Sequence, residues 1–179
     1  MKITMITGSP HKKGTSAMLA EQFSKGATLA GHKVFHFDAA NKGIHPCLAC
    51  DRCHNANSEC AFSDSMLELN PKLLEADVVV FVSPIYYYNI TAQIKAVIDR
   101  FYASDAALRV PKKAVLMLTF ADETIDAAKG AIASFQAMTK YLGWEMVGII
   151  TAAACATVED IKKTDYPKQA FELGKSLGS

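Results

Sequence analysis

Cys47, Cys50, Cys53 and Cys60 place four of the five cysteines within fourteen residues, directly after Pro46. A Cys-x2-Cys-x2-Cys run lets three thiolates wrap one compact inorganic group, the spacing used for 4Fe-4S centres. Zinc sites more often use two separated pairs. Three alternatives stay open beside the cluster: a zinc site, disulfides formed after purification, and an empty reduced loop. His45 and His54 flank the thiols and are able to ligate or tune a metal, although they read, like His32 and His36, as solvated side chains. Cys155 stands apart as a small buried hydrophobe.

Two further stretches carry chemistry. Gly8-Ser9-Pro10-His11-Lys12-Lys13-Gly14-Thr15-Ser16 leaves an apolar run and enters a helical pattern, so the amides of the helix start face whatever sits in the turn. An anion such as phosphate suits that position. Glycines allow unusual dihedrals, Ser9, Thr15 and Ser16 offer hydroxyls, and Lys12 or Lys13 adds charge. The segment is neither a P-loop nor Gly-x-Gly-x-x-Gly. Ser83-Pro84-Ile85-Tyr86-Tyr87-Tyr88-Asn89-Ile90-Thr91 puts three consecutive tyrosines after a buried strand, where a flat ligand explains them. The plainer reading packs some of them under the neighbouring helix or into a subunit interface, and at least one is expected there.

The elements that must position these loops alternate. Strands are expected over Lys2–Thr7, Lys33–Phe37, Asp77–Ser83, Lys112–Thr119 and Glu145–Thr151. Three of these are nearly continuous apolar runs, as in strands buried on both faces of a parallel sheet. Helix starts are signalled at Thr15-Ser16, Asp64-Ser65, Thr91, Asp126 and Thr157. Stripes such as Ile94, Val97, Ile98 and Phe101 mark the inward helical faces. Five strands alternating with five helices, joined by right-handed crossovers, predict an α/β doubly wound sheet in order 2-1-3-4-5. Ligands of such sheets bind at the carboxyl ends of the strands where the winding reverses. The two loops that meet there are Gly8–Ser16 and Pro84–Thr91. The Cys-rich loop after the second strand, residues 43–63, emerges at the same edge.

The chain has 179 residues, half of them apolar and 21% charged, which predicts one domain over 1–179 with a real core. Nineteen Lys and Arg against eighteen Asp and Glu leave +1, without the basic excess of a nucleic-acid coat. Apolar runs such as Val78–Val82 fall far short of the ~18 residues needed to span a bilayer. The N-terminal segment does not read as a signal peptide, so a cytoplasmic, thiol-reducing location is expected.

The two loops also carry a resemblance. Gly8-Ser9-Pro10-x-x-x-Gly14-Thr15-Ser16 and Ser83-Pro84-Ile85-Tyr86-Tyr87, continuing through Gln93-x-Lys95-Ala96-x-Ile98-Asp99-Arg100, resemble the motifs of the NAD(P)H-dependent FMN reductases. These belong to the flavodoxin-like superfamily, and the Cys motif is similar to that of the iron-sulfur flavoproteins among them. The resemblance extends over roughly residues 1 to 151. It implies a flavodoxin-like three-layer sandwich in which Ser9, Thr15 and Ser16 hold the FMN phosphate, with Lys12 beside them. Pro84, Ile85, Tyr86 and Tyr87 would line the flavin and ribityl chain, with Asn89 a further candidate. The loop Phe120–Thr124, through Ala121 and Asp122, would form a third wall. Three positions depart from the family pattern: His11 replaces an Arg, Thr15 an Asn, and Tyr88 a small residue.

The implied activity passes electrons from NAD(P)H as co-substrate through FMN to a quinone, free flavin or other small acceptor, with a 4Fe-4S cluster as a possible relay. It needs no catalytic base, because the cofactor carries the chemistry. A homodimer or higher oligomer is expected. Two other classes remain: a flavodoxin-type or iron-sulfur electron carrier without its own nicotinamide site, and a flavin-bound sensor.

Overall fold

The computed structural model describes residues 1–55 and 59–178. Ala56, Asn57 and Ser58 of the Cys-rich loop, and Ser179, lie outside the described residues. The chain runs β1 (Lys2–Thr7), α1 (Thr15–Leu29), β2 (Lys33–Asp38), α2 (Met66–Glu75), β3 (Val78–Pro84), α3 (Ala92–Asp99) and α4 (Asp105–Leu108). It continues with β4 (Lys113–Thr119), α5 (Lys129–Leu142), β5 (Glu145–Ala152), α6 (Val158–Lys162) and α7 (Tyr166–Ser176). All five strands are parallel, in the order β2-β1-β3-β4-β5.

Successive side chains of a strand point to opposite faces, and β3 feeds two cores. Val79 and Phe81 pack with Leu69 and Leu73 of α2, Ile94 and Val97 of α3, and Phe135 of α5. Val78, Val80 and Val82 pack with Leu19 and Phe23 of α1, Ile161 of α6 and Ala170 of α7. Helices therefore cover both faces, which is why β1, β3 and β4 are buried almost throughout. Among the described residues no helix is long and apolar enough to cross a membrane.

Strand bounds agree with expectation to within a residue. The helices need three corrections. The helix expected from Asp126 begins at Lys129, because Ile125–Ala128 closes as a 3-10 turn; Asp126 pairs with Lys129 at 2.6 Å inside that entry. The single helix expected after Thr157 is two: a Thr157–Asp160 capping box starts α6, and a second helix opens with Pro167 in its first turn, where its missing N–H costs nothing. The stripe ending at Phe101 leaves α3 at Asp99 and passes through a 3-10 turn, Arg100–Ser104, into α4.

Candidate functional site

Gly8 donates its N–H to Val82 O at 3.0 Å, which brings the first loop against the carboxyl end of β3. A Cβ on Gly8 would meet Thr91 Oγ1 and stand 2.5 Å from Ile94 Cγ1, so only glycine lets the loop lie on the start of α3. The chain then enters α1 through Gly14, with no side-chain cap on the first-turn amides. The expected capping role of Thr15 and Ser16 is corrected here: both hydroxyls turn inward to Thr119 Oγ1, at 3.1 and 2.8 Å. The α1 amides are left for another acceptor.

In front of those amides opens a cavity of about 610 Å³. Ser9, Lys12 and Thr15 line its first-loop side, Pro84, Ile85 and Tyr86 a second side, and Thr119, Phe120 and Ala121 a third. Six predicted residues outside Tyr86 therefore meet on one space: Ser9, Lys12, Thr15, Pro84, Ile85 and Ala121. Four predicted residues stand elsewhere. Ser16 is buried behind the loop on Thr119. Asp122 accepts from the Thr124 backbone and side chain, which holds its carboxyl below the usual range, so it acts as a local turn residue. Asn89 and Tyr87 belong to the tip beyond Tyr86.

That tip is a two-residue turn. Tyr86 and Asn89 exchange backbone hydrogen bonds at 3.0 and 3.3 Å, and Tyr87 and Tyr88 between them have φ of 47° and 64°. Positive φ at both central positions is the type I′ hairpin geometry that favours Asn-Gly. Within the chain the tyrosines are not packed away under the neighbouring helix: Tyr86, Tyr87 and Tyr88 are 46%, 99% and 66% exposed, which leaves a subunit interface as the other expected place for at least one of them.

Sequence reasoning missed the fourth wall, Cys155–Val158. The loop is latched to the turn after β4 by Cys155 N–H to Phe120 O and Ala154 N–H to Asp122 O, both 2.8 Å. Cys155 is buried as expected, yet it also borders the cavity. A second cavity, about 680 Å³, lies across the first loop between α1 and the edge strand β2. Glu21 and Asp38 line it beside Lys12 and Lys13, and those carboxylates oppose a phosphate. His36 there has Nε2 2.9 Å from Thr7 Oγ1, and partial desolvation of its ring holds its pKa below the ordinary value.

The four clustered cysteines all line a separate small pocket of about 20 Å³, together with Arg100 and Tyr102. Burial pushes the Cys53 thiol up, and Cys60, Cys47 and Cys50 push it the same way. Four thiols are the donor type of an iron-sulfur cluster, yet their arrangement does not fit one as it stands. The space is that of one water-sized occupant, and no group of three described His, Cys, Asp or Glu stands ready to hold a metal ion. Binding a cluster therefore has to open the loop. This pocket shares no described lining residue with the larger cavity; α3 runs between them, with Pro84–Tyr86 ahead of it and Arg100 after it.

His36, His45 and His54 are exposed, as expected, and His32 is part-buried; each also makes a local contact. His45 stacks on Phe62, His54 Nε2 lies 2.9 Å from Tyr102 O, and His32 Nε2 lies 2.6 Å from Leu177 O.

A family model described as NADPH-dependent FMN reductase matches residues 1–157. An iron-sulfur flavoprotein of Archaeoglobus fulgidus is 38% identical over 100 residues, covering 56% of this chain and 45% of that protein. An FMN-dependent NADH:quinone oxidoreductase of Chromobacterium violaceum is 26% identical over 150 residues, covering 76% and 73%. The chain spans about half the length of the first curated relatives it matches. Among solved structures, an NAD(P)H:quinone oxidoreductase from Methanothermobacter marburgensis superposes with a TM-score of 0.79 at 17% identity, over 99% of this chain and 96% of that one; that likeness is one of fold.

Proposed function

Because the chain belongs to the NADPH-dependent FMN reductase family, we propose that it binds FMN in the cavity before α1. Through that flavin it would pass electrons from NAD(P)H to a quinone, free flavin or other small acceptor. The observation that carries this reading is the bare first turn of α1: a fifteen-residue helix presents uncapped amides to a cavity that Ser9, Thr15 and Lys12 also line. Amides, hydroxyls and a cation together recognise a phosphate dianion.

When bound, FMN supplies the hydride acceptor. The chain's residues supply placement. Ser9 would hold the phosphate end with the α1 amides, Thr15 contributing its backbone N–H because its hydroxyl is donated to Thr119 Oγ1, and Lys12 adds charge at the rim. Pro84 and Ile85 form a stiff wall for the ring, and Ala121 and Tyr86 set the remaining sides. Ser16 and Thr119 keep Thr15 in register through their shared hydroxyl bonds. No side chain is required to move a proton.

We also propose that Cys47, Cys50, Cys53 and Cys60 hold an iron-sulfur cluster, supported by the convergence of four thiols on one pocket and by the name of the A. fulgidus relative. A homodimer is proposed as well, with the exposed Tyr87 and Tyr88 in its interface.

The test is anaerobic purification, an absorption spectrum, iron and sulfide analysis, and titration with NADH and with NADPH. Bleaching of the flavin by either nicotinamide supports a reductase, and a flavin that neither bleaches points to an electron carrier. Protein that stays colourless in excess FMN, with no heat of binding, rejects the reading. Replacing Cys50 and Cys53 by Ser is expected to remove iron and keep FMN; unchanged iron rejects the cluster.

A further inference from the structure

We propose that the flavin site continues past the phosphate: the second cavity, between α1 and β2, seats the adenosine half of a flavin dinucleotide, so that the chain holds FAD more tightly than FMN. This rests on the flavin reading above and names the form of the coenzyme that the site takes.

The two cavities meet at one loop. Ser9, His11, Lys12, Lys13 and Gly14 line both, whereas Pro84, Ile85 and Tyr86, the proposed ring wall, line only the first. A ligand that fills both therefore crosses from one to the other at its phosphate end and not at its ring. A nicotinamide coenzyme has to meet the flavin at the ring, so its adenosine is not continuous with that crossing. FAD is continuous with it, because a second phosphate and an adenosine follow the first phosphate.

The second cavity is walled by packed elements. Gly14, Ala17, Glu21 and Ser24 line it at intervals of three and four, which is one face of α1. Its floor is the sheet, where Met5 pairs with His36 and Thr7 with Asp38 across β1 and β2, and all four line the cavity. Met5 and Thr7 are buried. The volume of about 680 Å³ is that of a small-molecule site.

Charge is divided between the two spaces. The lysines belong to the loop that both cavities share, where a second phosphate takes its place beside Lys12 and Lys13. The carboxylates of Glu21 and Asp38 belong to the second cavity alone. They repel a phosphate but accept hydrogen bonds from the two hydroxyls of a ribose. Asp38 is the last residue of β2, and an acidic side chain after the second strand is what dinucleotide-binding sheets use to hold a ribose. Its carboxylate is already oriented, accepting from the Ala40 N–H at 3.2 Å and from Asn41 Nδ2 at 2.7 Å, and each oxygen keeps a further lone pair for a ligand. Met5, Ala17 and Met18 offer the adenine an apolar, polarizable surface.

The experiment titrates the full chain, freed of bound flavin, with riboflavin, FMN and FAD in a calorimeter. Affinity is expected to rise in that order, with FAD bound at least tenfold more tightly than FMN. Ser24→Phe, which puts a ring into the second cavity, and Asp38→Asn, which weakens the ribose acceptor, are each expected to remove most of that advantage and to leave the affinity for FMN unchanged. Unchanged FMN affinity also shows that each variant is folded, and if Ser24→Phe loses FMN as well, Asp38→Asn decides. FAD bound no more tightly than FMN overturns the proposal, as does an advantage for FAD that both variants keep. An FMN-loaded chain whose affinity for NADH or NADPH falls in Ser24→Phe gives the cavity to the electron donor and overturns it too. A parent that binds none of the three flavins rejects the flavin reading itself, whereas a parent that binds FMN and gains nothing from FAD rejects only the adenosine site.

Discussion

Gly8 sits where two functional loops touch, and the contact leaves no room for a side chain. A methyl there would overlap Thr91 Oγ1 and crowd Ile94. Gly8→Ala is expected to cost about 1–3 kcal/mol, the usual range for forced overpacking, and to weaken FMN binding with it, read by thermal melting and by flavin fluorescence. Ser9→Ala removes one hydroxyl from the proposed phosphate end, and a hydrogen bond to a charged group is worth about 1.5–3 kcal/mol. FMN affinity should fall at least tenfold while the melting temperature of the flavin-free protein stays near the parent's. The residue types at this loop were legible because a hydroxyl-rich turn between strand and helix has few other uses. The hydroxyls of Thr15 and Ser16, at the end of the loop, were misread as caps: both turn inward onto Thr119, and no sequence pattern announces that pairing. His36 gives a pH test at the same scale. Burial lowers its folded pKa below the ordinary 6.5, more than Asp38 raises it, so the folded state takes up a proton less readily than the unfolded chain. Its stabilising contribution is complete above pH 6.5 and is lost as the pH falls through the folded value. Melting temperature should therefore drop on acidification from pH 7 to 5, and drop less in His36→Asn.

At the scale of elements, α1 and α7 lie so close that two glycines are required. A Cβ on Gly26 would meet Phe171 O, and one on Gly174 would meet Phe23 O and stand 3.0 Å from Ala27 N. Backbone cannot step aside as a side chain can, so Gly26→Ala and Gly174→Ala should each lower stability by about 1–3 kcal/mol or more. Denaturant melts check this, and FMN affinity in the protein that remains folded should be unaffected, because neither residue approaches the first loop. The strands and their order were readable because burial on both faces forces an apolar run, and a parallel sheet forces crossovers between them. The Arg100–Asp64 bond was not readable. It ties the start of α2 to the end of α3 across 36 positions of sequence, and a motif that ends in Arg100 does not name the partner of that residue. Burial alone raises the Asp64 carboxyl, yet the Arg100 guanidinium and the N–H groups of His45 and Met66 outweigh it and hold it low.

For the molecule as a whole, the tyrosine tip gives the chain's interior nothing. Tyr87 is 99% exposed, and both central residues of the turn occupy the left-handed region, which costs a side-chain-bearing residue about 1–2 kcal/mol each. Gly130, at the start of α5, is the place where the turn rests: a Cβ there would stand 2.9 Å from Tyr88 O. A chain that tolerates strain to hold two bare aromatic rings in water has to recover that energy outside its own core. The proposed dimer recovers it by burying the rings against a second copy. Tyr88→Gly separates the two contributions, because glycine relieves the backbone and deletes the ring together. Measured by light scattering at micromolar concentration and by melting at a concentration where the parent is monomeric, this variant should associate at least tenfold more weakly. The isolated chain should at the same time gain up to about 1 kcal/mol, the strain relief less the added freedom of its unfolded state. A parent already monomeric at micromolar concentration, or a Tyr88→Gly variant that dimerises as the parent does, removes the interface; the strain would then belong to the flavin cavity, whose wall ends at Tyr86 immediately before the turn.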